Sequence, residues 1–218
     1  MASPMRSLAP EPQFATLEQQ TETAQLGMWV FIATEVMFFG ALIFTYYIYR
    51  LIYWEQFRLA AADTKILLGA INVAILLTSS LTMVLAVNAA KEGRQRALLV
   101  LLLVTAALGF CFLGVKGYEY VQDYNSSTVP SVNFLFKSGY HSPAELFWIF
   151  YFIATGFHAV HVTIGIGAIL VMSWHARRGR FSPNYYSPLE VLGLYWSFVD
   201  TVWVFLFAAI YPLGRAIT

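Results

Sequence analysis

Six ionisable side chains fall inside stretches of the sequence that are otherwise apolar, and these are the groups with which the chain could do chemistry. Each such group at the centre of an apolar layer costs about 2.5–3.5 kcal/mol on insertion scales, so each needs a partner or a role. They comprise two isolated carboxylates, a lysine–glutamate pair and a histidine pair: Glu35, Asp200, Lys116, Glu119, His158 and His161.

The two histidines are three residues apart, in Thr-Gly-Phe-His158-Ala-Val-His161-Val, and therefore share one face of a helix. A haem or metal site is one interpretation. Zinc pairs on a helix prefer a spacing of four residues with a third ligand, however, and haem ligands in bundles come from facing helices. The sequence has one cysteine, Cys111, and lacks the HExxH and Glu-x-x-His patterns. We therefore expect packing or hydrogen bonding to another helix and no metal on this chain.

The two isolated carboxylates lie deep in their apolar stretches. Glu35 is roughly 12 Å from Gly27 along a helix, and Asp200 is roughly 18 Å from Pro188. For Glu35, proton exchange or a lipid contact and a neutral hydrogen-bonded carboxyl are both open interpretations. Asp200 must face the bundle or a partner. Because adjacent spans run antiparallel, a shared polar interior of Glu35, a histidine and Asp200 is geometrically possible.

Lys116 and Glu119 are three residues apart, so they lie on one helical face and can pair. They come near the outer end of their apolar stretch, where a lysine can extend to water. This spacing favours a structural ion pair.

Membrane helices must position all of these groups. Of the 218 residues, 59% are hydrophobic and 11% are charged, less than half of the roughly 25% charged residues in a soluble domain. Thirteen Lys plus Arg against twelve Asp plus Glu leave a net charge of +1. This composition excludes a basic nucleic-acid-binding protein and a disordered chain.

The pattern predicts an all-α fold, an integral membrane bundle of five transmembrane helices. Residues 1–26 are rich in Pro and Glu and are predicted to be a polar N-terminal tail rather than a cleaved signal peptide. Residues 27–218 are predicted to form the transmembrane domain, because five apolar segments there exceed the ~20 residues that a bilayer requires. These spans lie at about 27–52, 65–90, 97–123, 144–174 and 188–213.

The loops after the second and fourth spans are basic: the first reads Lys91-Glu-Gly-Arg94-Gln-Arg96, and the second contains Arg177, Arg178 and Arg180. Short positive loops stay in the cytoplasm, which predicts that the N-terminus is inside and the C-terminus outside. Loops this short leave no room for a soluble catalytic domain.

Four motifs, in order along the chain, resemble those of a known family. They lie at 26–39, which contains Glu35; at 117–120, which reads Gly-Tyr-Glu-Tyr; at 152–165, which contains both histidines; and at 195–203, which reads Tyr-Trp-Ser-Phe-Val-Asp-Thr-Val-Trp. In these residues the chain is similar to subunit III of the haem–copper oxidase superfamily, in its five-helix bacterial form. The resemblance runs from about Leu26 to Gly214.

The resemblance implies a chain with no catalytic residue, haem or copper of its own. Haem and copper would belong to partner subunits, and the chain would pack on catalytic subunit I, beside subunit II and other respiratory subunits, with bound phospholipid, in a bacterial inner membrane. Glu35 matches the family's buried carboxylate, which is associated with a lipid-lined oxygen route. Structural or lipid contacts are implied for the other matching residues: Glu119, His158, His161, Trp196 and Asp200.

The sequence departs from the familiar family pattern in three ways. The mitochondrial form has seven spans, and we expect the first two to be missing here, so that the lipid-filled cleft which they form is open or completed by another chain. Ser197 stands where many members have His. Lys116 stands where several have Gln. The last two changes weaken any proton relay built on either position.

The leading hypothesis is an accessory subunit III of a terminal oxidase, which is an enzyme only as part of its complex and supports stability, proton uptake and the lipid or oxygen route. Glu35-Val-Met-Phe-Phe favours the cytochrome c branch, since quinol-oxidase relatives often place Asp at that position. Subunit III of a quinol oxidase and a homologue associated with a nitric-oxide reductase are alternatives. From other classes, a standalone proton-coupled carrier using Glu35, His158 and Asp200, or a haem-b electron carrier ligated by the two histidines, also remain open.

Overall fold

The computed structural model describes residues 12–130, 134, 141–183 and 185–211. Five of the helices in this part of the chain are long and apolar enough to cross a membrane, which confirms the predicted all-α membrane bundle. A sixth, α2, is short. The helices are α1 (Leu17–Ile52), α2 (Trp54–Ala62), α3 (Ile66–Lys91), α4 (Gln95–Asn125), α5 (His141–Arg177) and α6 (Ser187–Ile210).

Helices α3 to α6 form a four-helix core. In this core α3 packs on α4, α4 on α5, α5 on α6, and α6 back on α3. Helix α1 lies outside the ring against α6 and α5, and α2 packs on α5. As a result only 6% of the most apolar stretch of α1 is buried within the chain, against 44% for α6. The outer surface of α1 therefore needs lipid or protein to cover it.

Tryptophans from α6 fill the centre of the core. Trp196 and Trp203 are fully buried, and Trp196 is accommodated because two neighbouring helices present glycine to it. A Cβ atom at Gly165 of α5 would lie 2.8 Å from the Trp196 ring, and one at Gly109 of α4 would lie 3.0 Å from it. The small residues of the histidine motif thus permit a close contact between helices.

Helix α1 begins ten residues before the predicted span, so residues 17–26 of the predicted polar tail are helical. The cap at Thr16 explains this start: its side chain accepts a hydrogen bond from the Gln19 backbone N–H, while the Gln19 side chain accepts one from the Ala15 backbone N–H. Reciprocal bonds of this kind satisfy donors that the first turn leaves open.

Helix α2 occupies what we predicted to be a loop between the first two spans. Helix α1 ends at Ile52, Tyr53 caps it, and α2 then buries Phe57 and two alanines against α5. On its exposed side, Arg58 hydrogen-bonds Glu55 and thereby lowers the pKa of the Glu55 carboxyl. Nine residues are too few for a period of 3.6 to stand out among neighbouring apolar spans.

The two basic turns share one backbone design. Gly93 follows α3 with φ +71°, and Gly179 follows α5 with φ +67°. After each glycine, the next backbone N–H bonds the carbonyl five residues earlier, from Arg94 to Ala89 and from Arg180 to His175. This is the helix-ending motif that favours glycine in the left-handed region. A Lys91–Glu190 ion pair of 2.8 Å ties the first turn to the start of α6.

Candidate functional site

Glu35 and His161 form a contact between α1 and α5 at the edge of the bundle. The Glu35 Oε2 atom lies 3.1 Å from Nε2 of His161, and the two side chains are 17% and 16% exposed. The distance is that of an ion pair, although the angles are not those of a hydrogen bond. Phe39 packs edge-on against the His161 ring, and the Tyr195 hydroxyl bonds the His161 carbonyl. The pair therefore sits at the edge of the core rather than in its centre.

A hydrogen bond to the backbone of α5 fixes the orientation of the His161 ring. Nδ1 of His161 lies 2.8 Å from the Phe157 carbonyl oxygen, and since a carbonyl only accepts, Nδ1 carries a hydrogen. Nε2, 3.1 Å from Oε2 of Glu35, is then the ring nitrogen that faces the carboxyl group.

His158, one turn earlier on α5, lies in a different environment. It is fully buried, stacks on Trp203 at 5.0 Å between ring centroids and meets the edge of Phe112. Both of its ring nitrogens lack a hydrogen-bond partner. The sequence left both packing and hydrogen bonding open for the histidines. His158 packs against aromatic rings and makes no side-chain hydrogen bond. The two histidines contact different helices, His158 facing α4 and α6 and His161 facing α1.

Asp200 is buried against a pair of serines on α3. Its Oδ2 atom accepts from Ser80 Oγ at 2.6 Å and lies 3.2 Å from Ser79 Oγ, which in turn accepts from Nε1 of Trp196 at 3.0 Å. Asp200 Oδ1 has no partner. This arrangement joins α3 to α6 by polar contacts in the apolar interior, where such contacts resist separation of the helices.

Lys116 and Glu119 form a buried pair, not one that extends to water. Their side chains are 2% and 1% exposed, with Nζ of Lys116 3.0 Å from Oε2 of Glu119. Tyr151 from α5 and Tyr211, directly after α6, also bind the Lys116 ammonium at 3.0 and 3.1 Å. The expectation that Lys116 would snorkel to the surface is wrong, because these aromatic residues enclose it.

The proposed polar interior of Glu35, a histidine and Asp200 does not exist as one cluster. Glu35 contacts His161, Asp200 contacts the two serines, and His158 contacts aromatic rings. Within the described part of the chain, no three His, Cys, Asp or Glu side chains converge as a possible metal site.

The sequence matches the family model for cytochrome c oxidase subunit III over residues 6–215. The chain belongs to this family. It is 32% identical to cytochrome c oxidase subunit 3 of Alkalihalophilus pseudofirmus, over 96% of this chain and 95% of the relative. It is 31% identical to cytochrome c oxidase subunit 3 of Thermostichus vulcanus, over 87% of each. Quinol oxidase subunit 3 of Bacillus spizizenii is 28% identical, over 92% of this chain and 93% of the relative.

In this member of the family, the residues that contact the buried polar side chains could not be predicted from the sequence. Tyr151 and Tyr211 are two among thirteen tyrosines, and nothing local marks them as ligands of Lys116. Ser79 and Ser80 carry a weak signal, since adjacent hydroxyls in an apolar span suggest an interhelical bond. Their acceptor is 120 residues away in sequence.

Proposed function

We propose that this chain is the accessory subunit III of a bacterial terminal oxidase, most closely of the cytochrome c type. It lies in the inner membrane with its N-terminus inside and its C-terminus outside, and it packs on catalytic subunit I beside subunit II. The match to the family over residues 6–215 carries this proposal. The basic turns at 91–96 and 177–180 support the orientation, since short positive loops stay in the cytoplasm.

In this proposal the oxygen chemistry belongs to the partners. Subunits I and II hold haem and copper and reduce oxygen to water, while this chain stabilises them, assists proton uptake and guides oxygen and lipid. The apolar outer surface of α1 supports such a role, because it remains uncovered by the chain's own helices. A small apolar pocket between α1, α5 and α6 is lined by residues such as Leu42, Ile43 and Ala154.

The Glu35–His161 pair joins α1 to α5, two of the helices that line this pocket. The pair is partly exposed, Glu35 lies in the first of the four family-like motifs, and His161 lies in the third. A pair of this kind can orient α1 on the core and keep a carboxyl compensated at membrane depth. We assign it the role of positioning α1 beside the lipid and oxygen route.

The electron donor proposed here is cytochrome c. Relatives named cytochrome c oxidase subunit 3 are 28% to 32% identical to the chain and relatives named quinol oxidase subunit 3 are 27% to 30% identical, so the identities do not separate the two branches. The proposal rests on Glu35, where quinol-oxidase relatives often carry Asp.

Deleting the chain from its native host tests the proposal. We expect the membranes to retain the haem and copper spectra of the oxidase, while sustained oxygen consumption falls and the remaining complex loses activity faster in detergent. Plasmid-borne wild-type chain should restore both properties. Loss of a haem band in proportion to the missing chain would contradict an accessory role, and so would unchanged activity and stability.

A further inference from the structure

The Lys116 ammonium sits in a pocket that matches its hydrogen-bonding capacity. A primary ammonium has three N–H donors and no acceptor. Three acceptors surround Nζ: Glu119 Oε2 at 3.0 Å, Tyr151 Oη at 3.0 Å and Tyr211 Oη at 3.1 Å. Every donor of the ammonium therefore has one partner, and the three partners come from α4, α5 and the end of α6.

The acceptors are themselves fixed by a second set of bonds. Tyr211 donates to Glu119 Oε1 at 2.6 Å, so both oxygens of this carboxylate are used. Tyr151 donates to Asp123 Oδ2 at 3.1 Å. Each tyrosine hydroxyl thus donates once and accepts once, which leaves its oxygen oriented toward the cation. These bonds hold the acceptors in place without help from Lys116.

Aromatic rings close the rest of the pocket. The faces of aromatic rings attract cations within about 6 Å of the centroid, more strongly where water is excluded. Three ring centroids lie within 4.5 to 5.2 Å of the Lys116 nitrogen: Tyr151, Tyr120 and Trp203.

We propose that these residues form a cation-binding site, selective for a primary ammonium, which Lys116 occupies from within the chain. The site clamps the ends of α4, α5 and α6 together. A guanidinium is a planar fork of five donors and does not fit three acceptors arranged around a point, and a quaternary ammonium has no donors to offer. A buried carboxylate that loses its cation is strongly destabilising, so the occupant matters for stability.

Chemical rescue tests the site. Lys116→Ala removes the part of the side chain that n-propylammonium can replace. The full-length chain is purified in mild detergent with its accompanying subunits, with and without tens of millimolar n-propylammonium. A tag on this chain is used to follow its thermal unfolding, which gives its midpoint temperature. We expect the midpoint of the variant to fall by about 5 °C or more and the amine to restore at least half of the loss.

Three controls isolate the charge and the donors. 1-Propanol has the same heavy-atom count without the charge, and tetramethylammonium has the charge without donors; neither should restore the midpoint. Lys91→Ala removes a lysine that pairs with Glu190 but is 44% exposed, so n-propylammonium should not rescue that variant. Equal rescue by 1-propanol, or an equal effect of the amine on wild type and both variants, would overturn the proposal.

A second variant, Lys116→Arg, tests whether the site prefers a primary ammonium to a guanidinium. This test holds even if Lys116→Ala does not accumulate without the amine. Arginine keeps the charge but not the geometry, so we expect its midpoint to fall by about 5 °C or more and the amine not to raise it. A wild-type midpoint for Lys116→Arg would show that charge alone suffices. Failure to recover Lys116→Ala with the amine present throughout growth and purification would also count against the site.

Discussion

The contact between Glu35 and His161 is the feature at the scale of single residues that most directly links the structure to a role. Nδ1 of His161 bonds the Phe157 carbonyl, so Nε2 is the ring nitrogen that faces Glu35. The contact also bridges α1 and α5. Changing either residue should therefore alter the packing of α1 against the core without changing electron transfer.

Replacing Glu35 by alanine tests that role. We expect the first turnovers of the oxidase to remain near normal, since the proposed chain carries no redox centre, while sustained activity declines or bound phospholipid is lost. Steady-state oxygen consumption over time and lipid analysis of the purified complex provide the measurement. Glu22→Ala makes the same change at an exposed position of α1 and should behave as wild type. Complete loss of haem reduction in Glu35→Ala would contradict the positioning role.

The bond between Ser80 and Asp200 offers a second test at this scale. Ser80→Ala removes the shorter of the two hydrogen bonds that Asp200 Oδ2 accepts, and the loss of one such bond costs about 0.5–3 kcal/mol. We expect a lower thermal midpoint for the chain in its complex. Thr78→Ala is the control, because that hydroxyl is exposed and bonds only its own helix. Equal midpoints for the two variants would show that Asp200 does not depend on Ser80.

At the scale of elements, the close approach of α5 to α6 depends on glycine. A Cβ at Gly165 would lie 2.8 Å from Trp196 and 3.1 Å from Tyr195, both large rings in a packed core, while Gly167 has nothing within 4 Å. Gly165→Ala should therefore lower stability by about 1–3 kcal/mol through overpacking. Gly167→Ala should be neutral or slightly stabilising, since alanine is the better helix former. Thermal unfolding of both variants measures the difference, and equal destabilisation would contradict this packing.

The existence of the five long helices was predictable from the sequence, because each span needs a long apolar run and nothing else in the chain supplies one. The start of α1 was not predictable, because the apolar run begins only at Gly27. A cap formed by Thr16 and Gln19 starts the helix ten residues earlier. Helix α2 was not predicted, because its nine residues are too few to show a helical period in the sequence. The pairing of Lys116 with Glu119 follows from a spacing of three, but its enclosure depends on tyrosines from two other helices. Contacts of that kind are set by tertiary packing, which local patterns do not contain.

At the scale of the whole molecule, the four-helix core and the outlying α1 must be oriented in the membrane, and labelling tests the proposed orientation. The single cysteine, Cys111, is first replaced by serine, and one cysteine is introduced at Glu92 or at Ser126, which are exposed at opposite ends of α4. We expect a membrane-impermeant maleimide to label Ser126→Cys in spheroplasts and Glu92→Cys only after lysis. A detergent-solubilised sample labels both and controls for reactivity. The opposite pattern would place the N-terminus outside.

The central claim is that this chain is an oxidase subunit whose redox metals belong to its neighbours, and affinity purification with a visible spectrum tests it most directly. The tagged chain is isolated from native membranes in mild detergent, and the dithionite-reduced spectrum is recorded before and after a harsher detergent separates the subunits. We expect haem to copurify and then to leave entirely with a larger partner. A chain that purifies without any haem protein, or one that keeps a Soret band after separation, would contradict the account.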